Sequence, residues 1–228
     1  MTEPGSRRPI KSRDAGWAHA AAAALARAGV RPNLISAASF AFAALGGALL
    51  LAAGSTGPAA LRAALLIGAA ACVQLRLACN LLDGMVAVEH GRGSPDGPIW
   101  NELPDRFSDV ALLAAAGYCA QGGGVLLAVE AGWLCAALAL VCAYLRELGR
   151  ALGFAADFSG PMAKPQRMAV LTLALVVSAL EPLWGWRGQS LMIALAIIAL
   201  GTAFTAWRRT RTLAARLRAP GAGEGGSR

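Results

Sequence analysis

The residues with the types and spacing to do chemistry gather between positions 80 and 109, in NLLDGMVAVEHGRGSPDGPIWNELPDRFSD. Asp83, Glu89, Asp96, Glu102, Asp105 and Asp109 all fall here, although the whole chain holds only 13 acidic residues. Asn80, Asp83, Gly84 and Ala87 stand at i, i+3, i+4 and i+7, so a helix presents them on one face. Asp105 and Asp109, at i and i+4, share a face at the head of the next apolar run. Hard divalent cations such as Mg²⁺ take oxygen ligands, usually carboxylates shared with substrate phosphates. Two helix mouths carrying Asp83 and Asp105 are therefore a candidate site for one or two such ions. Gly84, without a side chain, lets a nucleotide or pyrophosphate approach the backbone. Asp109, one turn deeper, is placed to take a proton from an attacking hydroxyl. Arg146, Arg150, Lys164 and Arg167, in a later polar segment, suit a phosphate on an acceptor or a lipid.

These residues sit within long apolar sequence. The chain is 57% hydrophobic and 15% charged, with mean hydropathy +0.53, whereas a soluble domain is about one quarter charged. The apolar blocks reach the roughly 20 residues needed to cross a bilayer as helix. The expected fold is all-α and polytopic. Six spans are read at 34–53, 59–82, 102–120, 125–144, 168–183 and 190–207, within a transmembrane domain over 30–211. A basic disordered tail is expected over 1–13, a juxtamembrane amphipathic helix over 14–29 and a flexible cytoplasmic tail over 212–228. The net charge of +8 comes from basic residues at both termini and in the 90–104 and 146–167 loops, against only Arg62 and Arg187 on the other side. That asymmetry places both termini and the acidic stretch in the cytoplasm of a cell whose inner (cytoplasmic) membrane holds the chain. Anionic lipid headgroups account for the charge, and nucleic-acid binding is not indicated.

Several local features refine the layout. In 14–29, Asp14 is a candidate N-cap and Gly29 a candidate terminator, with Trp17 at headgroup level. Arg62 is expected to snorkel to the far surface. Arg76 lies too deep for that and should face the bundle interior, toward the acids. Positions 91–104 read as a loop with Asn101 as N-cap and Pro104 in the first turn of the third span. Trp184 and Trp186 read as interfacial anchors. Cys72, Cys79, Cys119, Cys135 and Cys142 have no CxxC spacing and read as small packing residues.

The same residues resemble a known family. The CDP-alcohol phosphatidyltransferases carry DxxDGxxAR, a short spacer and GxxxDxxxD. Here NxxDGxxAV covers positions 80–88 and NxxxDxxxD covers 101–109. The resemblance runs from Pro32 and Asn33 through all six spans. It implies a transferase that moves a phosphatidyl group from CDP-diacylglycerol, or a related CDP-alcohol, to a hydroxyl acceptor and releases CMP in phospholipid biosynthesis. It further implies Mg²⁺ or Mn²⁺ as cofactor and a homodimer among membrane lipids. Carried over by position, Asn80, Asp83 and Asp105 become metal ligands and Asp109 the general base. Gly84, Ala87 and Asn101 become nucleotide-binding, and Arg146, Arg150, Lys164 and Arg167 contact the acceptor or its phosphate.

Three departures mark a divergent member: Asn80 for the first aspartate, Val88 for the motif arginine, and Asn101 for the second glycine after a longer spacer. Arg92 and Arg106 are the candidates to replace that arginine. Two other classes stay open. One is a catalytically impaired relative acting as a binding or assembly partner. The other is a small cation-coupled transporter, disfavoured because such sites lie near the bilayer midplane on broken helices. Glu89, Asp96 and Glu102 read as solvated loop acids, and His19 and His90 as surface histidines without a ligand role.

Overall fold

The computed structural model describes residues 15–89, 91 and 94–219. The expected tail over 1–13, Asp14, His90, Arg92 and positions 220–228 lie outside the described residues. Among the described residues seven α-helices follow one another: α1 (Gly16–Arg27), α2 (Pro32–Ser55), α3 (Ala59–Glu89), α4 (Gly97–Gln121), α5 (Ala128–Ala151), α6 (Lys164–Leu180) and α7 (Gln189–Arg218), with a 3₁₀ turn (Glu181–Trp184) after α6. No strand occurs among the described residues.

Alanine, leucine and glycine dominate these segments, and alanine and leucine cost a helix least. Pro32 starts α2 and Pro165 lies in the first turn of α6, where a missing backbone donor is harmless. Gly29 ends α1 with φ of +76°, a left-handed conformation that side chains disfavour.

The six long helices close a ring in the order α2, α3, α6, α7, α5, α4, and α4 also reaches across to α7. Ala43, Leu50, Leu66, Val73, Leu112, Leu113, Leu171, Leu191, Leu195 and Ile198 fill its interior. α1 lies outside the ring against α3, where Ala18, Ala22 and Ala26 pack on Leu81, Met85 and Val86 and leave Trp17 exposed.

Among the described residues five helices are long and apolar enough to cross a membrane: α2, α3, α5, α6 with its 3₁₀ turn, and α7. The chain is a multi-pass membrane protein. The third of the six spans expected from sequence, 102–120, corresponds to α4, which is not among the five. Its first half carries Glu102, Asp105, Arg106 and Asp109, and only its second half is uniformly apolar. That second half is buried over Leu112, Leu113, Ala114, Ala115, Ala116 and Gly117, as befits a helix enclosed by neighbours.

Other boundaries differ from those expected. α4 begins at Gly97, five residues before the expected start at Glu102, so Asn101 lies inside the helix rather than capping it. Gly97 N–H donates to the Ser94 carbonyl (3.0 Å) and Ile99 N–H to that of Asp96 (3.0 Å), and Pro98 falls in the first turn. Pro104 is thus interior, with the Ser108 hydroxyl donating to its carbonyl at 2.7 Å. α3 continues past position 82 to Glu89, and α7 continues to Arg218, so 212–218 are helical rather than a flexible tail.

Arg62 does not snorkel. It is buried, lies 3.4 Å from Glu181 and donates to the Ser178 carbonyl (3.0 Å) and hydroxyl (3.1 Å). Glu181 also accepts from the backbone N–H groups of Gly188 (2.6 Å) and Ser190 (2.7 Å). This polar knot binds α3 to the turn between α6 and α7 at the end of the bundle opposite the acidic stretch.

α4 and α5 cross closely at Gly117 and Gly132. A Cβ on Gly132 would stand 2.7 Å from the Leu113 carbonyl oxygen and 3.1 Å from Gly117 Cα. Small residues allow such backbone approach in lipid, where there is no hydrophobic drive between helices. Gly132→Val is expected to force α4 and α5 apart and destabilise the protein by about 1–3 kcal/mol. Thermal unfolding of the purified protein in detergent measures this, and an unchanged midpoint would show that the crossing tolerates bulk.

Candidate active site

At one end of the ring, α3 brings Arg76, Asn80 and Asp83 onto one face, α4 brings Asp105 and Asp109, and the start of α6 brings Lys164 and Arg167. Asp83 is buried, and its Oδ2 accepts a 2.7 Å hydrogen bond from the Ser36 hydroxyl of α2. Its Oδ1 is buried with no protein partner. One turn back, the Asn80 Oδ1 accepts from the Ser39 hydroxyl, and the Asn80 Nδ2 donates to Asp105 Oδ1, both at 2.5 Å. Asp105 Oδ1 also lies 3.4 Å from Arg76 Nη2, and Lys164 Nζ donates to its Oδ2.

Asp109 is buried, and both its oxygens are engaged. Arg76 Nη2 donates to Oδ1 at 2.7 Å and Arg167 Nη2 to Oδ2 at 2.9 Å. Arg167 Nη1 donates in addition to the Met162 carbonyl (3.3 Å). Arg76 is fully buried, and its Nε and Nη1 have no hydrogen-bond partner in the protein. Three carboxylates, Asp83, Asp105 and Asp109, therefore face three cations, Arg76, Lys164 and Arg167, and the local sum is zero.

The other expected residues divide. A Cβ on Gly84 would meet nothing within 4 Å, so open space lies beside the backbone next to Asp83. Ala87 is half-buried one turn beyond, and Asn101 is exposed on α4 one turn before Asp105. Arg146 and Arg150 stand apart from the acids. Arg146 pairs with Glu102 and with Glu147 (2.9 Å), and Arg150 with Glu147 (3.2 Å). Arg106, a candidate for the missing motif arginine, is held by Glu102 at 2.6 Å. Val88 is 47% exposed, on the outside of α3.

Two site residues, Ser36 and Ser39, had no role in the sequence reading, and Arg76 had only its inward-facing one. Arg76 was expected to face inward, and its spacing of four from Asn80 and seven from Asp83 was the signal for a shared face. Ser36 and Ser39 are i and i+3 on α2, and two hydroxyls on one stripe of an apolar helix were the only hint. Asn33, three residues before Ser36, contacts Ser94 (3.2 Å) and Asp96 (3.4 Å). It lines a groove of about 730 Å³ with Val30, Arg31, Leu34, Asp96 and Trp100. In the loop before α4, hydrogen bonds from Ser94, Trp100 and Asn33 hold the exposed Asp96 carboxyl below its ordinary pKa.

No set of three or more His, Cys, Asp or Glu residues placed to hold a metal ion occurs among the described residues. The candidate oxygen donors are the carboxylates of Asp83 and Asp105 and the amide of Asn80, which turns its oxygen to Ser39 and its nitrogen to Asp105. The unpartnered Asp83 Oδ1 and the open space at Gly84 make this set a fit for one hard divalent cation.

This architecture matches solved structures along nearly its whole length. Mycobacterium tuberculosis phosphatidylinositol phosphate synthase (PgsA1) with CDP-DAG bound superposes with a TM-score of 0.73 and 22% identity, covering 92% of this chain and 98% of that one. The fold is shared. The same synthase in complex with manganese and citrate gives a TM-score of 0.72 at 22% identity, over 91% of this chain and 92% of that one. By sequence, the chain is 27% identical over 147 residues to the inner membrane protein YnbA of Escherichia coli strain K12, covering 63% of this chain and 69% of that protein. No family profile matches the chain.

Asp109→Asn leaves the buried Arg76 and Arg167 guanidinium groups facing a neutral amide. Removing one partner of a buried ion pair costs about 3–5 kcal/mol, so a large fall in the thermal midpoint is expected. A midpoint within a degree of the parent would mean that neither arginine depends on Asp109.

Proposed function

We propose that the chain is a metal-dependent CDP-alcohol phosphatidyltransferase of phospholipid biosynthesis. The observation that carries this reading is the convergence of Asp83 and Asp105 with buried cations and open space at Gly84, at one end of a bundle sharing the synthase fold. α4 is the sixth spanning helix in this reading. Its apolar half lies among the other five, and its charged half faces the cytoplasm with both termini. Positive-inside charge supports that orientation.

Asp83 and Asp105, with the Asn80 amide, would hold the divalent ion, Mg²⁺ or Mn²⁺. When bound, it neutralises charge on the pyrophosphate of the donor. Lys164, on a flexible stem at the edge of the site, leaves Asp105 and takes up a phosphate oxygen. Gly84 and Ala87 leave room for the nucleotide, and Asn101 lies on the approach to Asp105. The acceptor oxygen forms a bond to the β-phosphorus, the bond from that phosphorus to the bridging oxygen breaks, and CMP leaves. The acceptor's proton passes to Asp109, which must first release one of its two guanidinium contacts. Arg146 and Arg150, beside Glu102 and Glu147, form the outer basic rim where an acceptor phosphate arrives. Membrane lipids surround the bundle, and a homodimer belongs to the same reading.

A second reading keeps the fold without turnover. The complete pairing of Asp105 and Asp109 with arginine and lysine, together with Asn80 and Val88 at motif positions, favours a binding or assembly partner. CMP release from CDP-diacylglycerol in lipid, with Mn²⁺ or Mg²⁺ and a panel of hydroxyl acceptors, separates the two. Asp83→Asn serves as the blank, because it removes a candidate metal ligand while keeping an acceptor for Ser36. Metal-dependent CMP, at least 100-fold above the blank as expected for a site group acting in the transition state, identifies the transferase and its acceptor. No CMP with any acceptor would leave the partner reading.

A further inference from the structure

Of the site's three cations, Arg76 is the one shared between Asp105 and Asp109, although Arg167 is also buried and has an unpartnered Nε. Lys164 is partly exposed and can swing away, and Arg167 is anchored to the Met162 carbonyl. Arg76 is fully buried, on the same helical face as Asn80 and Asp83, with Nη2 shared between Asp105 (3.4 Å) and Asp109 (2.7 Å). A guanidinium there cannot be expelled to water without opening the bundle, because no part of it reaches the surface. It therefore occupies the space between those carboxylates in a way that a dication would have to share. Asn80 adds to this: it lends no negative charge, and its amide nitrogen donates toward Asp105. Two adjacent dications need more anionic ligand than Asp83 and Asp105 provide once Asp109 is neutralised by Arg76 and Arg167. Arg76 Nε and Nη1 meanwhile remain buried donors without protein partners, a state proteins rarely leave without a ligand or water to satisfy it.

We propose that Arg76 is a fixed, protein-borne cation in the position of a second divalent ion, so that the site binds a single ion at Asp83 and Asp105. In this arrangement Nε and Nη1, buried in this structure, meet an anionic phosphoryl oxygen of the donor where the donor enters the bundle beside Asp83, in charge-assisted hydrogen bonds. The phosphoryl contact rests on the transferase reading, whereas the ion count does not.

The test is the Mn²⁺ stoichiometry of the full chain in zwitterionic lipid nanodiscs, with free Mn²⁺ read by electron paramagnetic resonance. One Mn²⁺ per chain is expected for the parent, weakened at least tenfold by Asp83→Asn. Arg76→Lys, which keeps the charge, should retain one. Asn80→Asp combined with Arg76→Met should bind two. Two ions on the parent, or none, would overturn the proposal, as would a folded double variant that still binds one. Because folding of the double variant is checked by its thermal midpoint, a collapsed sample leaves the parent and Arg76→Lys counts to decide. One ion on the parent without CMP release would count against the transferase and leave the ion count standing, while CMP release with two ions would do the reverse.

Discussion

The Asp109 carboxylate is the point on which the polar end of the bundle turns. It is carried by α4 and holds a guanidinium of α3 on one oxygen and one of α6 on the other. Helices α3 and α6 adjoin each other in the ring, and α4 faces them from across it. One charged side chain thus closes the ring through its interior. Such a link gains little net stability over a well-packed apolar alternative, since desolvating three charged groups offsets most of their attraction. Its effect is on geometry. Once the groups are buried, any register of α3, α4 and α6 that separates them is excluded, and the same constraint fixes Asn80, Asp83 and Asp105 on the turns above.

The serines of α2 extend that constraint to a fourth helix. Ser36 and Ser39 each donate to the α3 residue that a ligand would contact, Asp83 and Asn80. Hydroxyls that would be indifferent on an exposed helix are here the groups that α2 turns toward Asp83 and Asn80. They orient oxygen donors that have few other partners. The outer basic residues are organised separately, with Glu102 on α4 held between Arg106 and Arg146. The site therefore has an inner layer of buried pairs and an outer rim of partly exposed ones. The outer pairs contribute little to stability and are free to exchange partners.

Much of this was legible in the sequence because helical spacing survives folding. Asp83 and Asp105 lie at the same end of the bundle since α3 and α4 are both continuous through them, and Asp105 and Asp109, expected on one face from their i, i+4 spacing, both meet α3. The start of α4 was misread because Asn101 and Pro104 look like a cap and a first turn, while Asp96 and Pro98 supply the same signals five and six residues earlier. Local turn chemistry does not say which of two adequate starts is used. Arg62 was misread for a different reason. Its partner Glu181 is far along the chain, and no spacing rule reports a contact made by tertiary packing. The pairing of Asp105 with Lys164 and of Asp109 with Arg167 was hidden in the same way, and those basic residues had been grouped with Arg146 and Arg150 only because they are near in sequence.

The two buried arginines of α3 bear on how the chain is made. Arg62 and Arg76 leave the ribosome before any of the acids that neutralise them: Asp105 and Asp109 follow one helix later, and Glu181 three helices later. An arginine at the centre of a lone spanning helix costs about 2.5–3.5 kcal/mol on insertion scales. For α3 that charge is met early at Arg76, when α4 arrives, and late at Arg62, when the turn after α6 arrives. Assembly of the membrane domain is then ordered by its charges. The α3–α4 pair neutralises Arg76 as soon as it forms, and the opposite end stays unsatisfied until the chain is nearly complete.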